Sequence, residues 1–495
     1  MTCSLQLVRM IVVAFSLALA GCSSFRPWQN PPVDGHAIEI KTIAAPPSAA
    51  HSIVAAVTFS GGGARAAAFG LGVLQELKAS DFVWEGEPTT LLDEISLVSG
   101  VSGGSVLAAY FAAFGDETLT RFESEFLLHN FEHSLIGQAL APAGLYRLSS
   151  PWYGRSHVLA ERLDKLFRGR TYGDLRSRPH GPDLLVTATD LTTGAPFEFT
   201  PEQFALICSD LGSVPLSFAV AASSSVPILL SPMTLRNHAG HCSTDSGFVP
   251  RSAGTEDNYR VRLLHASAES YLNGDDRPYI HLVDGGVADN LGVRALLDRL
   301  IAGGSIRASW RKAPPGSIRK LILIAVNSER DVAERIERSD RVPTTGQVLN
   351  TLVFGAGNRE TEVTLGMMND DMERWRRELS EERGTYGSPF SADAELHVIS
   401  ISLRDVEDQV QRRSLLQVPT AFTIDSEQVR RLGQAGREAL RRSPEFQRLR
   451  AELRNSAPTY QQALAHTREG EPDHNASAVS FESAAVHRAR SGDAD

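Results

Sequence analysis

The chain has 495 residues, of which 42% are hydrophobic and 22% charged, and its formal net charge is −10. That length holds one large domain with insertions or two smaller ones, and either can bury a sizeable core. The acidic balance argues against nucleic acid as the main partner, and 40 glycines and 25 prolines exclude a collagen-like or wholly disordered chain.

The N-terminus carries the first specific signal. Arg9 precedes the apolar run Met10 to Ala20, which is too short to span a bilayer comfortably and ends in small residues, as a secretory signal does. Leu19-Ala20-Gly21-Cys22 reads as a bacterial lipobox, so residues 1–21 are expected to be removed and Cys22 acylated. Several acyl chains on one cysteine hold a protein to a bilayer far more firmly than one. The competing reading is an ordinary signal peptide with a chance cysteine. Ser23 and Ser24 follow without the Asp that retains such proteins at the inner membrane, so the expected location is the outer membrane, facing the periplasm or cell surface. Cys3 would leave with the signal; Cys208 and Cys242 then remain, as one disulfide or as two free thiols. Residues 22–50, rich in Pro and Ala, read as a tether.

A folded domain is expected over residues 51–455. Ile53–Phe59 is a short β-branched apolar run, consistent with a buried strand. Ser60 and three glycines follow, then helix formers through Lys78. A second strand reads at Ile95–Val98, a helix from Val106 to Phe114, and further strands at Leu184–Ala188, Tyr279–Val283, Leu321–Val326 and Leu396–Ile401. Val293–Ile301 and Met367–Glu382 read as helices, and 425–455 is helix-prone and Arg-rich. This alternation predicts an α/β fold: a central, mostly parallel sheet with helices on both faces. Residues 236–275 look like an insertion, and 456–495 like a disordered tail.

Three motifs carry chemistry. Gly100-Val101-Ser102-Gly103-Gly104 stands between a predicted strand and a predicted helix, the context of a nucleophile elbow that exposes a serine hydroxyl above the sheet. Gly61-Gly62-Gly63-Ala64-Arg65 leaves backbone N–H groups bare at a helix start, a nest suited to an oxyanion, with Arg65 as a positive charge for a phosphate or carboxylate of the substrate. Asp284-Gly285-Gly286 follows a strand, so its carboxylate can reach a neighbouring elbow. Two other readings of the glycines compete. Gly61-x-Gly63-x-x-Ala66 also satisfies a dinucleotide fingerprint, but Asp81 falls before the second strand instead of at its end. A purely structural turn leaves the serine elbow unexplained.

Together these motifs resemble the patatin-like phospholipases, and the Gly-Gly-Gly-x-Arg and Gly-x-Ser-Gly-Gly motifs are also similar to those of the cytosolic phospholipase A2 group. Two further blocks match, Ala188-Thr189-Asp190-Leu191-Thr192-Thr193-Gly194 and Ala222-Ser223-Ser224-Ser225-Val226-Pro227. The resemblance covers about residues 53–330. It implies a Ser–Asp hydrolase fold in which Ser102 is the nucleophile, Asp284 the base, and the N–H groups around Gly62 and Gly63 the oxyanion hole. Ala66 departs from the family, where many members carry a further glycine, and the 236–275 insertion lies just before Asp284.

The expected function is therefore a lipid acyl hydrolase of the phospholipase A or lysophospholipase type, working through an acyl-enzyme without cofactor or metal. Its partners would be a membrane lipid substrate and the membrane surface, with no nucleic acid. A non-catalytic, lipid-anchored protein that binds acyl chains or a partner on the same scaffold is the alternative. His397, in a late strand, is the candidate third member of a Ser–His–Asp triad, against the more common structural role of a lone histidine; His281 shares the strand before Asp284 but faces the opposite side. Phe126-Leu127-Leu128 and Ile228-Leu229-Leu230 read as core in preference to an acyl channel.

Overall fold

A computed structural model of the chain describes residues 23–33, 52–178, 181–242, 258–331, 336–351 and 356–455. The signal segment, Cys22, the later part of the expected tether, the middle of the expected insertion and the tail lie outside the described residues.

Among the described residues ten strands are formed: β1 (Ile53–Phe59), β2 (Asp81–Trp84), β3 (Glu87–Thr90), β4 (Ile95–Gly100), β5 (Asp183–Asp190), β6 (Pro196–Glu198), β7 (Met233–Arg236), β8 (Tyr279–Val283), β9 (Ile318–Asn327) and β10 (Phe390–Ser402). The principal helices are α1 (Gly63–Lys78), α2 (Gly103–Phe114), α3 (Phe131–Leu140), α4 (Pro142–Leu148), α5 (Arg155–Phe167), α6 (Leu216–Ser223), α7 (Tyr259–Tyr271), α8 (Arg294–Ala302), α9 (Ala356–Glu382), α10 (Ser426–Arg442) and α11 (Pro444–Asn455). The main sheet runs β10-β9-β1-β4-β5-β8-β7, with β6 also on β5, while β2 and β3 form a separate hairpin. From β10 to β5 every pairing is parallel; β6, β7 and β8 are antiparallel additions at one edge.

The parallel strands are apolar on both faces because helices cover both. Ile53, Ala55, Val57 and Phe59 of β1 point into one core with Ile322, Ile324 and Val326 of β9. The alternate residues Leu321, Leu323 and Ala325 point into the other, against Leu297, Met372 and Trp375 of α8 and α9. On the first face α1 packs so closely on α10 that a Cβ at Gly72 would lie 1.9 Å from the Gly433 carbonyl oxygen, and one at Gly436 would lie 2.1 Å from that of Phe69. The Arg-rich C-terminal segment is thus a cover for the glycine-bearing helix, tied at its rim by the Arg441–Glu76 ion pair.

Three features differ from the sequence reading, and one choice it left open, the state of Cys208 and Cys242, is closed. Residues 23–33, expected in a free tether, lie on the domain: the Val33 N–H donates to the Cys208 carbonyl at 2.9 Å, and Asn30 Nδ2 donates to Ser209 Oγ and to the Arg236 carbonyl. The expected insertion opens on the last residue of β7 and contains the regular helix α7. Cys208 and Cys242 are joined as a disulfide with Cα atoms 5.7 Å apart, which closes the turn after β7 onto residues 205–209. Finally, Ile228 and Leu229, read as core, are 58% and 61% exposed.

Candidate active site

The elbow begins where β4 ends. Ser102 has φ 49° and ψ −124°, a left-handed-side conformation unfavourable for a residue with a Cβ, and α2 starts at the next residue. Backbone contacts hold it there. The Val101 N–H donates to the Phe59 carbonyl at 3.1 Å, and the Ser102 N–H donates to Ser223 Oγ at 2.8 Å. The Ser223 hydroxyl in turn donates to the Thr187 carbonyl at 2.6 Å, so α6 and β5 together brace the turn. Glycine is required beside it: a Cβ at Gly103 would sit 2.1 Å from the Gly63 carbonyl oxygen. The glycine loop after β1 and the elbow after β4 are therefore in direct backbone contact, as adjacent parallel strands ending at the same level allow.

Asp284 arrives from an unexpected direction. β8 runs antiparallel to β5, not parallel, with Val283 opposite Thr189, while Gly100 of β4 lies opposite Val186. One step beyond Val283 and two beyond Gly100 both reach the level of Ala188, so the strand ends bring residues 102 and 284 together across β5. Ser102 Oγ donates to Asp284 Oδ2 at 2.8 Å. The other carboxylate oxygen accepts the Gly286 N–H at 2.8 Å. The main chain of Asp284 is pinned at both ends, its N–H to the Ser225 carbonyl at 2.9 Å and its carbonyl by the Thr189 hydroxyl at 2.8 Å.

Burial dominates the electrostatics. Ser102 and Asp284 are 6% and 8% exposed. Burial raises the Asp284 pKa to about 6, against the opposing pull of the hydrogen bonds from Gly286 and Ser102. A carboxyl at about 6 is a far better base near neutrality than a solvated aspartate at about 3.9. Among the described residues the pair has no histidine partner. His281 hydrogen-bonds Thr234, and His397 lies among Glu395, Glu445 and Glu452.

The glycine loop divides its donors. The Gly61 N–H is taken by the Asn290 carbonyl at 3.0 Å and the Ala64 N–H by the Ala421 carbonyl at 2.7 Å. Among the described residues the N–H groups of Gly62, Gly63 and Gly103 have no acceptor. A Cβ at Gly61 would come 3.5 Å from Ser102 Cβ, which sets the loop against the nucleophile candidate. Arg65 departs from its expected place. It is 3% exposed, and its Nε and Nη1 donate to the carbonyls of Ser328 and Val418 at 2.9 and 2.7 Å, with Thr420 Oγ1 at 3.3 Å. Its guanidinium fastens the loops after β9 and before α10 to the glycine helix instead of presenting a charge to substrate. Burial first, then the Arg330 charge, lower its pKa to about 9.

Ser223, Ser225 and Thr189 fall within the sequence blocks quoted above, but their roles as braces come only from the packing. Asn290 and Ser328 carried no signal. Asn290 bridges the two glycine turns, its side chain facing both Gly61 and Gly286, and Ser328 donates to the Gly61 carbonyl at 2.9 Å. Among the described residues one cluster has donors suitable for a metal: Glu395, His397 and Glu452, with ligand atoms within 4.8 Å of one another. Lys320 Nζ already bonds both carboxylates, and Lys320 pairs with Ile53 at the opposite end of β1 from Ser102. That cluster is an internal ion pair that holds α11 to the sheet.

Residues 57–297 match the patatin-like phospholipase family. The matched stretch holds the glycine loop, the Ser102 elbow and Asp284 together. The solved structures similar to it include human GIVD cytosolic phospholipase A2, at 12% identity and a TM-score of 0.42, covering 82% of this chain and 62% of that one. The same human enzyme in complex with methyl gamma-linolenyl fluorophosphonate gives 13% identity and a TM-score of 0.38, with 82% and 59% covered. VipD from Legionella pneumophila gives 14% identity and a TM-score of 0.30, with 89% and 73% covered. The chain thus spans about three fifths of the human structures' length. No curated protein matches it in sequence.

Proposed function

We propose that the protein is a serine lipid acyl hydrolase of the phospholipase A or lysophospholipase type that uses a Ser102–Asp284 dyad. The observation that carries this reading is the 2.8 Å hydrogen bond from Ser102 Oγ to a buried carboxylate that, among the described residues, no cation or histidine shares. Asp284 takes the Ser102 proton as Oγ attacks the ester carbonyl. The N–H groups of Gly62 and Gly63, with that of Gly103 at the start of α2, stabilise the oxyanion, each such donor contributing about 2.7–4 kcal/mol. Asp284 returns the proton to the departing alcohol as its C–O bond breaks, leaving an acyl-Ser102 ester. Water, deprotonated by Asp284, then releases the fatty acid and restores the serine.

The same reading includes the N-terminus: removal of residues 1–21, acylation of Cys22, and residence on the outer membrane, where the substrate is already concentrated. Release of fatty acid from mixed phospholipid vesicles tests the activity. Turnover by the wild type that vanishes in Ser102→Ala supports the dyad. Equal turnover by both proteins sinks it, and no turnover with no fluorophosphonate labelling of Ser102 favours the non-catalytic binder.

A further inference from the structure

Six large apolar side chains left outside the cores stand on neighbouring segments of the fold. Leu140 closes α3, Leu145 and Tyr146 lie on α4, Trp152 follows it, and Ile228 and Leu229 follow the block that ends in Pro227; all six are between 44% and 65% exposed. They are joined through the structure. The Arg155 guanidinium at the start of α5 donates to the Ile228 carbonyl at 2.6 Å, beside Trp152, and Ser156 Oγ receives the Ser225 hydroxyl at 2.8 Å. Ser225 is the residue whose carbonyl holds the Asp284 N–H, so this apolar side is tied to the dyad through Ser156 and Ser225. A patch of this kind on a soluble surface marks an interaction site.

Two observations say what covers it. The first is the path of the N-terminal segment. The Ser23 N–H donates to Ser149 Oγ at the end of α4, the Ser150 hydroxyl donates to the Phe25 carbonyl at 2.6 Å, Phe25 packs edge-on to Tyr153, and Arg26 lies 4.0 Å above the Trp152 ring. Ser23 is one peptide bond from Cys22, so a lipid on Cys22 departs within about 3.8 Å, Cα to Cα, of a residue fixed on this very face. The second is charge. Arg26 and Arg155 flank Trp152 and the Ile228–Leu229 turn, and among the described residues neither belongs to an ion pair. Apolar tips with an aromatic residue and unpaired guanidinium groups match the boundary between acyl chains and anionic headgroups.

We propose that this face, formed by α3, α4, Trp152 and the Ile228–Leu229 turn, docks on an anionic lipid surface, with its orientation set by the anchored residues 23–28. Docking itself stands apart from the chemistry; its role, delivering an acyl chain to Ser102 without passage through water, rests on the hydrolase reading above. The anchor alone would keep the protein near the bilayer in any orientation. The packed N-terminal segment, instead of a free tether, turns attachment into alignment.

The test uses the full acylated chain on phosphatidylcholine–phosphatidylglycerol vesicles whose lipid carries brominated acyl chains, in a Ser102→Ala background so that the vesicles are not consumed. The emission that Trp152→Phe removes is expected to be quenched by the bromine, and Leu145→Glu with Tyr146→Glu to abolish most of that quenching. Vesicle-bound protein whose Trp152 emission is unquenched overturns the proposal, as does a face that instead buries itself in a dimer lost in the same double variant. With Ser102 restored, the double variant should hydrolyse vesicle phospholipid at least about tenfold more slowly, since two membrane-buried apolar side chains are lost while the lipid anchor still holds the protein to the vesicle. Hydrolysis of a short-chain ester dissolved in water should be unchanged. Equal losses on both substrates overturn docking in favour of site damage. Quenching as described, with turnover indifferent to Ser102, would leave docking intact and remove only the hydrolase reading.

Discussion

Two buried carboxylates on adjoining strands are held in opposite ways. Asp190, at the end of β5, is fully buried and paired with the Arg277 guanidinium, the Tyr271 hydroxyl at 2.7 Å and the Thr192 N–H at 2.9 Å. Asp284, at the end of β8, receives one backbone N–H and the Ser102 hydroxyl and, among the described residues, no cation. A buried charge is costly unless it is paired and hydrogen-bonded. At Asp190 the pairing fixes the ion and with it the turn at residues 190–194, whose neighbour Thr189 braces the Asp284 carbonyl. At Asp284 burial without a cation among the described residues raises the pKa to about 6 and makes the carboxylate a stronger base, suited to take a proton from a serine. One strand end is built to hold a charge, the other to pass a proton.

The sharpest way to break the comparison is to remove the exchange. Ser102→Ala and Asp284→Asn should each lower kcat/KM for a phospholipid or a soluble ester by at least about 10³-fold, and the double variant should lose little more, because members of one catalytic unit are grossly non-additive. Strictly additive losses would mean that the two residues act separately. The next effect is on folding. Arg277→Met turns Asp190 into a second unpaired carboxylate and should destabilise the fold by about 3 kcal/mol at pH 7.5, measured by urea unfolding. The same substitution in an Asp190→Asn background should cost far less, because no buried charge is then left without its partner. An equal cost in both backgrounds would show that Arg277 matters only through packing on the Tyr271 ring.

How much of this was legible beforehand depends on the range of the interaction. The parallel strands and the helices α1, α2, α8 and α10 follow from local apolar runs, and residues 279–283 were bounded correctly as a strand. The elbow and glycine loop were legible because tight backbone approach demands glycine at fixed sequence positions, as the Gly103–Gly63 contact illustrates. The antiparallel direction of β8 was not, since a short apolar strand reads alike in either direction. Arg65 misled for a related reason: a lone Arg after three glycines suggests an anion site, and the carbonyls that take it come from residues 328 and 418, far along the chain. Ile228 and Leu229 read as core because composition cannot tell an apolar residue facing helices from one facing outward.

The smallest effects concern the proton itself. With Asp284 near pH 6, kcat/KM on a neutral soluble ester should level off above that pH and fall about tenfold per unit below it, since only the ionised carboxylate accepts the serine proton. The stability effect has the opposite sense. The folded-state pKa is raised from 3.8 to about 6, so the protonated form suits the fold and ionisation costs stability, a penalty absent below pH 3.8 and complete above about pH 6. Asp284→Asn removes a group that must ionise while keeping an acceptor for the Gly286 N–H. It should therefore raise stability at pH 8 by about 1–2 kcal/mol, less than the roughly 3 kcal/mol the full shift represents, because the amide accepts more weakly. At pH 4 the gain should be close to zero. A variant no more stable than the wild type at pH 8 would mean that Asp284 is compensated after all, and the contrast with Asp190 would then lie in geometry alone. A gain at pH 8 that fades on acidification would identify Asp284 as a place where the fold gives up stability to hold a base.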